Sequence, residues 1–169
     1  MGRLNQYIYI AERLDSRLAA RIAEIELNDP AEADALPDVG YMRRLSAEPI
    51  LALRPDLVLA IEGSGPPAVL EQLRRSGVPV ETVPNEPTVS GIGSKLRTVG
   101  TILGVAAEAE ILAARIEAEL GRIAQAMAAI RNRPSVLFLI SVGRNTPMAG
   151  GADTAAATMI ELAGGRNAV

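Results

Sequence analysis

The chain has 169 residues, a formal net charge of −3 and 49% hydrophobic residues, which is enough to bury the core of one domain. It contains no cysteine and no histidine, which excludes thiolate chemistry, a Ser-His-Asp triad and zinc sites built on those residues. Without a basic block or a long uninterrupted apolar run, the sequence shows neither the charge pattern of a nucleic-acid binder nor a membrane span.

Residues 3–27 have the periodicity of an amphipathic helix, because apolar residues recur at steps of three and four. The apolar positions are Leu4, Ile8, Ala11, Leu14, Leu18, Ile22 and Ile25. We expect this helix to pack on the rest of the chain; the alternative is an interaction helix that joins two copies. Pro30 cannot continue a helix and therefore ends it.

The middle of the chain predicts a strand, a helix and a second strand. A short helix over 47–53, with Ser46 as its N-cap, precedes them. The strand 56–61 is apolar throughout, which is typical of a strand buried on both faces. A helix over 67–76 and a strand over 78–83 complete a βαβ unit with parallel strands.

The loops after the two strands are the expected place for a ligand, because open α/β sheets bind ligands beyond the carboxyl ends of their strands. Gly63–Gly65 follows the first strand and Pro84–Glu86 follows the second.

A long helix follows a shorter one over 88–103. Residues 106–132 contain no proline and carry an unbroken apolar stripe. At about 1.5 Å per residue this helix is roughly 40 Å long, enough to connect two lobes. Pro134 ends it.

The last part of the chain predicts the start of a second lobe, with an apolar strand over 135–142. Asp153 or Thr154 is expected to cap a final helix that ends at Ala163. The predicted fold is therefore α/β: a parallel-sheet lobe joined by one long helix to the beginning of a second α/β lobe. The predicted divisions are 1–104 for the first lobe (with 1–27 as an atypical helix), 105–133 for the helix and 134–169 for the second lobe.

Two ordered motifs resemble the heme-binding proteins of bacterial ABC importers, the class with a long interlobe helix that also includes siderophore and cobalamin binders. The first is LPDVGYMRRLSAE followed by LALRPDLVLA, within Leu36–Ala60. The second, about a hundred residues later, combines Thr146–Ala149, Thr154–Ala156 and Ala163–Ala168. The resemblance covers roughly residues 28–169 and does not extend to 1–27.

This resemblance implies a ligand site that contains Tyr41. Tyrosinate is an axial ligand of heme iron in other proteins, and guanidinium groups bind carboxylates such as heme propionates. Tyr41 is expected to hold the iron and Arg43 a propionate, while Arg144 meets a second propionate and Met148 faces the porphyrin. Three of these residues have a simpler alternative: Tyr41 packs at a loop edge, Arg144 is a solvated loop cation and Met148 is buried in loop packing.

The resemblance also implies partners and a location. The chain is expected to bind, not to catalyse, and to deliver heme, a related tetrapyrrole or an iron chelate to an ABC permease. Glu71 is the expected contact with the permease; the alternative is that it lies on a solvated helix face. A periplasmic or extracytoplasmic location follows from the resemblance, although this chain carries no signal peptide.

The sequence departs from the family pattern at one site position and at both ends. Val142 stands where several relatives have a histidine that follows the serine, so Tyr41 is the sole protein ligand, the ligand differs, or the site is degraded. Compared with the family, the chain looks truncated at both ends. The alternatives are therefore a siderophore or cobalamin carrier, or a remnant that does not bind ligand and forms oligomers, such as a homodimer.

Overall fold

A computed structural model describes residues 9–11, 39–141 and 147–169. The strands are β1 (Tyr9–Ala11), β2 (Leu57–Ile61), β3 (Val80–Val83), β4 (Ser135–Val136), β5 (Leu139–Ser141), β6 (Met148–Ala149) and β7 (Arg166–Asn167). The helices are α1 (Ala47–Ala52), α2 (Pro67–Arg75), α3 (Val89–Ile102), α4 (Ala106–Ala128) and α5 (Ala155–Leu162). The mixed α/β fold is confirmed, with a parallel β2-α2-β3 unit followed by the helices α3 and α4.

The structure divides into two compact units. Among the described residues, the first unit takes those up to Asn85 together with Thr98–Ala106, and the second takes Glu86–Arg97 and Ala107–Val169. The lobe boundaries predicted at residues 104 and 133 remain predictions.

The core of the first unit is arranged around β2, the central strand of the order β1-β2-β3. Val58 and Ala60 belong to one buried cluster, and Leu57 and Leu59 belong to another. Because successive side chains of a strand point to opposite faces, this alternation confirms that β2 is buried on both faces. The first cluster contains Ile50 of α1, Leu73 of α2 and Val80 of β3; the second contains Val83 and packs against Val99, Ile102 and Leu103.

The helix predicted over residues 3–27 is wrong at Tyr9–Ala11. These three residues form β1, which pairs antiparallel with β2 in the register Tyr9↔Leu59. The prediction rested on the periodicity of this segment alone. Pairing with β2 instead satisfies the backbone hydrogen-bonding groups on the edge of β2 that β3 does not occupy. The other residues of that predicted helix lie outside the described part of the chain.

Two predicted caps have different outcomes. Thr154 Oγ1 accepts a hydrogen bond of 3.3 Å from Ala157 N–H, which confirms Thr154 as the cap of α5. Ser46 occupies the N-cap position of α1, but its side chain makes no capping hydrogen bond there.

The single strand predicted over residues 135–142 is also wrong. Ser135–Val136 pairs parallel with β7, while Leu139–Ser141 pairs antiparallel with β6, so Leu137 and Phe138 separate two short strands. The apolar run is continuous in sequence, but its two ends have different pairing partners. Val142 lies outside the described residues.

The long helix α4 ends at Ala128, four residues before the predicted end. Two of its glutamates, Glu110 and Glu117, bind Arg97 of α3. Among the described residues, no helix is long and apolar enough to cross a membrane.

Candidate functional site

The segment around Tyr41 is a tight turn with alternating buried and exposed side chains. Arg44 N–H donates a 2.8 Å hydrogen bond to the Tyr41 carbonyl oxygen, and Gly40 supplies the positive φ of 96° before the turn. Met42 and Leu45 are buried, whereas Tyr41 is 60% exposed. The apolar pair therefore anchors the turn while the phenol of Tyr41 faces away from the core.

Two backbone hydrogen bonds fix this turn against the loop that follows β2. Gly65 N–H donates to the Met42 carbonyl oxygen over 2.8 Å, and Leu45 N–H donates to the Gly65 carbonyl oxygen over 3.0 Å. Tyr41 and Arg43 are therefore held beside the carboxyl end of β2, where α/β sheets commonly bind ligands.

The loop after β3 lies at the same edge of the sheet. Glu62 N–H donates to the Val83 carbonyl oxygen over 2.8 Å, and Asn85 N–H donates to Glu62 Oε2 over 3.4 Å. The predicted ligand-facing loops, Gly63–Gly65 and Pro84–Glu86, thus begin side by side in the first unit.

Sequence reasoning missed the residues that position Tyr41. Met42 and Leu45 are the buried residues that anchor the turn. The sequence does carry a signal for them, since they are apolar residues three positions apart inside a polar turn. Ser64 was also missed: its hydroxyl is buried and has no hydrogen-bond partner among the described residues. No sequence pattern distinguishes such a serine from a solvated one.

The remaining predicted ligand residues belong to the second unit. Met148 lies in β6, where it pairs with Ser141 and is 58% exposed, so the alternative of buried loop packing is wrong for Met148. Arg144 lies outside the described residues. Tyr41 and Arg43 therefore lie in one turn of the first unit, whereas Met148 lies in the second unit.

Glu71 lies on the exposed surface of α2. It accepts a 3.1 Å hydrogen bond from Arg75 Nε one helical turn later. Both side chains are largely solvated, so this ion pair leaves Glu71 accessible to a partner.

A cavity of 340 Å³ lies within the second unit, and Tyr41, Arg43 and Met148 are not among the residues that line it. Its walls are mostly apolar, and Arg133, Thr158 and Glu161 add polar groups. The apolar lining includes Met127 and Ile130, which continue the apolar stripe recognised in the sequence of the long helix, together with Val89, Ala124, Ala128, Leu162 and Gly164. Arg133 Nη2 donates over 2.7 Å to the Gly165 carbonyl oxygen, so part of its hydrogen-bonding capacity is used by the fold.

Arg97 and the carboxylates of Glu110 and Glu117 form a network of three charged groups. Hydrogen bonds from Arg97 lower the pKa of both Glu110 and Glu117, and these carboxylates in turn raise the pKa of Arg97. The described ranges contain no group of three or more acidic side chains that could hold a metal ion.

Comparison with known proteins identifies the family. The sequence profile described as "Periplasmic binding protein" matches residues 18–169. The chain belongs to this periplasmic binding protein family. Membership confirms the predicted resemblance and the prediction of a binding protein rather than an enzyme.

Several solved structures of the family are similar to this periplasmic binding protein chain. The periplasmic heme-binding protein RhuT of Roseiflexus sp. RS-1 is 41% identical with a TM-score of 0.78, over 83% of this chain and 53% of that one. A periplasmic heme-binding protein of Pseudomonas aeruginosa is 37% identical with a TM-score of 0.75, over 82% of this chain and 51% of that one.

The name of one curated relative indicates a different ligand. The vitamin B12-binding protein of Pectobacterium carotovorum subsp. carotovorum (strain PC1) is 29% identical over 138 residues, which are 82% of this chain and 49% of that protein. The chain therefore spans about half the length of the relatives that it matches.

Proposed function

We propose that this chain is the ligand-binding part of a solute-binding component of a bacterial ABC importer, and that its ligand is heme. The observation that carries the proposal is the anchored turn that exposes the Tyr41 phenol beside Arg43 at the carboxyl edge of β2. The heme-binding proteins of Roseiflexus and Pseudomonas aeruginosa, 41% and 37% identical, support this choice of ligand.

The chemistry of the turn suits ferric heme. Direct ligation to ferric iron favours the phenolate form of a tyrosine, and neighbouring cations stabilise its negative charge. In the proposal Tyr41 binds the iron and Arg43 pairs with a propionate in a charge-assisted hydrogen bond. Because Met42 and Leu45 hold the turn in place, little conformational freedom is lost on binding.

Met148 and Arg144 are the other proposed ligand contacts. The exposed thioether of Met148 is apolar and polarizable and suits a porphyrin face. Arg144 is proposed to pair with the other propionate. Val142 has no metal-binding group, so Tyr41 is proposed as the sole protein ligand to the iron.

Cobalamin is the second candidate ligand. The 29% identity to a vitamin B12-binding protein supports it, and cobalamin is a tetrapyrrole-related macrocycle of similar size. A siderophore carrier remains the third alternative from the sequence. The two macrocycles differ in their dependence on Tyr41, since in this proposal only heme takes its axial ligand from the phenol.

Titration of the chain with ferric heme tests the proposal. We expect saturable one-to-one binding with a tyrosinate-type Soret spectrum, and we expect Tyr41→Phe to abolish that spectrum and weaken binding at least about tenfold. Tyr9→Phe makes the same chemical change in β1 and should leave the spectrum unaltered.

Parallel titration with cyanocobalamin separates the two ligands. Saturable binding of cobalamin without saturable binding of heme would identify cobalamin, and not heme, as the ligand. Weak, non-saturating binding of both macrocycles, indifferent to Tyr41→Phe, would contradict the carrier function altogether.

The proposed permease contact is Glu71 on α2, in an extracytoplasmic location. A carboxylate on a solvated helix face can pair with arginines of a partner after exchanging its bond to Arg75. Glu71→Ala should therefore reduce delivery of ligand to a reconstituted permease while heme affinity stays unchanged. If Glu71→Ala and the parent chain deliver ligand equally well, Glu71 does not contribute to the permease contact.

A further inference from the structure

Ser64 is a buried polar residue whose hydroxyl the fold of the first unit does not use. It follows β2 and is 8% exposed, and its hydroxyl oxygen has no hydrogen-bond partner among the described residues. Its backbone does take part in the fold, since Ser64 N–H donates over 2.9 Å to the Ile61 carbonyl oxygen. Burying a hydroxyl without a partner opposes folding, so an alanine would serve packing better at this position. The stability of the chain therefore does not explain the hydroxyl of Ser64.

The same serine lies beside Arg43, the proposed partner of a heme propionate. Gly65 N–H, which belongs to the peptide group that links Ser64 to Gly65, donates over 2.8 Å to the Met42 carbonyl oxygen. That oxygen belongs to the peptide group that links Met42 to Arg43. Ser64 and Arg43 therefore adjoin the two peptide groups that one hydrogen bond joins. Both residues belong to the first unit.

A carboxylate of the ligand has the chemistry that the Ser64 hydroxyl needs. An ionised carboxylate only accepts hydrogen bonds, and its two oxygens offer about four acceptor sites, so a guanidinium and a hydroxyl can donate to the same group. The hydroxyl can change its direction without any movement of the backbone, because its staggered χ1 rotamers differ by about 120°. A propionate held by Arg43 would thus accept a further hydrogen bond from the neighbouring serine.

We propose that Ser64 is a further ligand-binding residue, whose hydroxyl donates a hydrogen bond to the ligand carboxylate that Arg43 also binds. This inference rests on the proposed function and adds a carboxylate contact to it. Tyr41 keeps the contact with the iron, so Ser64 affects the affinity for the ligand and not the ligation of the metal.

Titration of Ser64→Ala with ferric heme tests the proposed hydrogen bond. We expect the dissociation constant to rise about three- to tenfold, while the tyrosinate-type Soret spectrum at saturation stays unchanged. Ser76→Ala is the matched control, because the Ser76 hydroxyl at the end of α2 donates over 3.0 Å to the Gln72 carbonyl oxygen; this variant should bind heme as the parent chain does. Equal affinities of Ser64→Ala and the parent chain overturn the assignment.

Heme dimethyl ester tests which group of the ligand the hydroxyl contacts. The ester has no ionised carboxylate, so the parent chain and Ser64→Ala should bind it with affinities that differ by less than about twofold. An undiminished difference between the two chains with the ester overturns the assignment to a carboxylate.

Urea unfolding without ligand separates a role in binding from a role in folding. Because the hydroxyl of Ser64 is unpaired in the chain, Ser64→Ala should have an unfolding midpoint no lower than that of the parent. A lower midpoint means that the chain itself uses the hydroxyl, and overturns the proposal. A parent chain without saturable heme binding contradicts the proposed function and this assignment with it, whereas saturable binding that is indifferent to Ser64→Ala contradicts the assignment alone.

Discussion

At the scale of single residues, the Tyr41 turn shows how one segment serves both packing and recognition. Met42 and Leu45 contribute buried apolar contacts, and the two backbone bonds to Gly65 fix the direction of the turn. Tyr41 and Arg43 are exposed to solvent, while the backbone that carries them is held by these contacts. The position of a functional side chain thus depends on neighbours that never touch the ligand.

Two glycines of the second unit are expected to respond oppositely to the same substitution. A Cβ at Gly91 would overlap the backbone carbonyl oxygen of Glu86, so Gly91→Ala should destabilise the chain by roughly 1–3 kcal/mol. A Cβ at Gly121 of α4 meets nothing within 4 Å, so Gly121→Ala should stabilise by about 0.5–1 kcal/mol through helix propensity. Urea unfolding followed by far-UV circular dichroism measures both changes, and equal midpoints for the two variants would contradict this prediction.

At the scale of elements, Arg97 joins α3 to α4 through two carboxylates seven residues apart. Its Nε donates to Glu110 Oε2 over 2.6 Å, and its Nη1 donates to Glu117 Oε1 over 2.7 Å. Second bonds of 3.0 and 3.1 Å from Nη2 make both contacts two-pronged. Residues seven apart lie on one face of a helix, which is why a single guanidinium reaches both.

This ion-pair network predicts an acid-sensitive contribution to stability. Because Arg97 lowers the pKa of Glu110 and Glu117 in the folded chain, the contribution is complete above the ordinary glutamate pKa of 4.5. It is lost as the pH falls through the lower, folded pKa values. Urea unfolding midpoints measured from neutral to acid pH should decrease less steeply below 4.5 for Glu117→Gln than for the parent chain.

The control for the network is Glu119→Gln, which removes a carboxylate from the same helix outside the bonds to Arg97. It should keep the parent pH dependence. Identical profiles for Glu117→Gln and the parent chain would mean that solvent screens the network completely.

At the scale of the whole molecule, both clusters of large buried side chains found among the described residues belong to the first unit. Because local stability follows the burial of apolar contacts around backbone hydrogen bonds, the two units should open with different free energies.

Amide hydrogen exchange at low protein concentration is expected to report this difference. Amides of β2 and β3 should exchange at least about tenfold more slowly than those of β4, β5 and β7, since the strands of the first unit lie between two apolar clusters. Uniform protection across both units at low concentration would contradict this account.

The sequence predicted most of the helices because each carries a repeated local signal. The apolar stripe of α4 and the cap at Thr154 are detectable within a few residues, and both are confirmed by the structure to within a few positions. The βαβ unit was predictable for the same reason, since an apolar run bounded by Pro55 and Gly63 indicates a doubly buried strand.

By itself the sequence determined the α/β class, the order of the main elements and the resemblance to heme-binding proteins, because these depend on local patterns and on ordered motifs. Only the tertiary structure decided that Tyr9–Ala11 is a strand, that residues 135–141 form two strands with different partners, and that Met42 and Leu45 anchor Tyr41. The physical reason is the same in each case. Strand pairing and side-chain burial depend on residues far away in the chain, and local periodicity carries no information about which distant backbone will supply the hydrogen bonds.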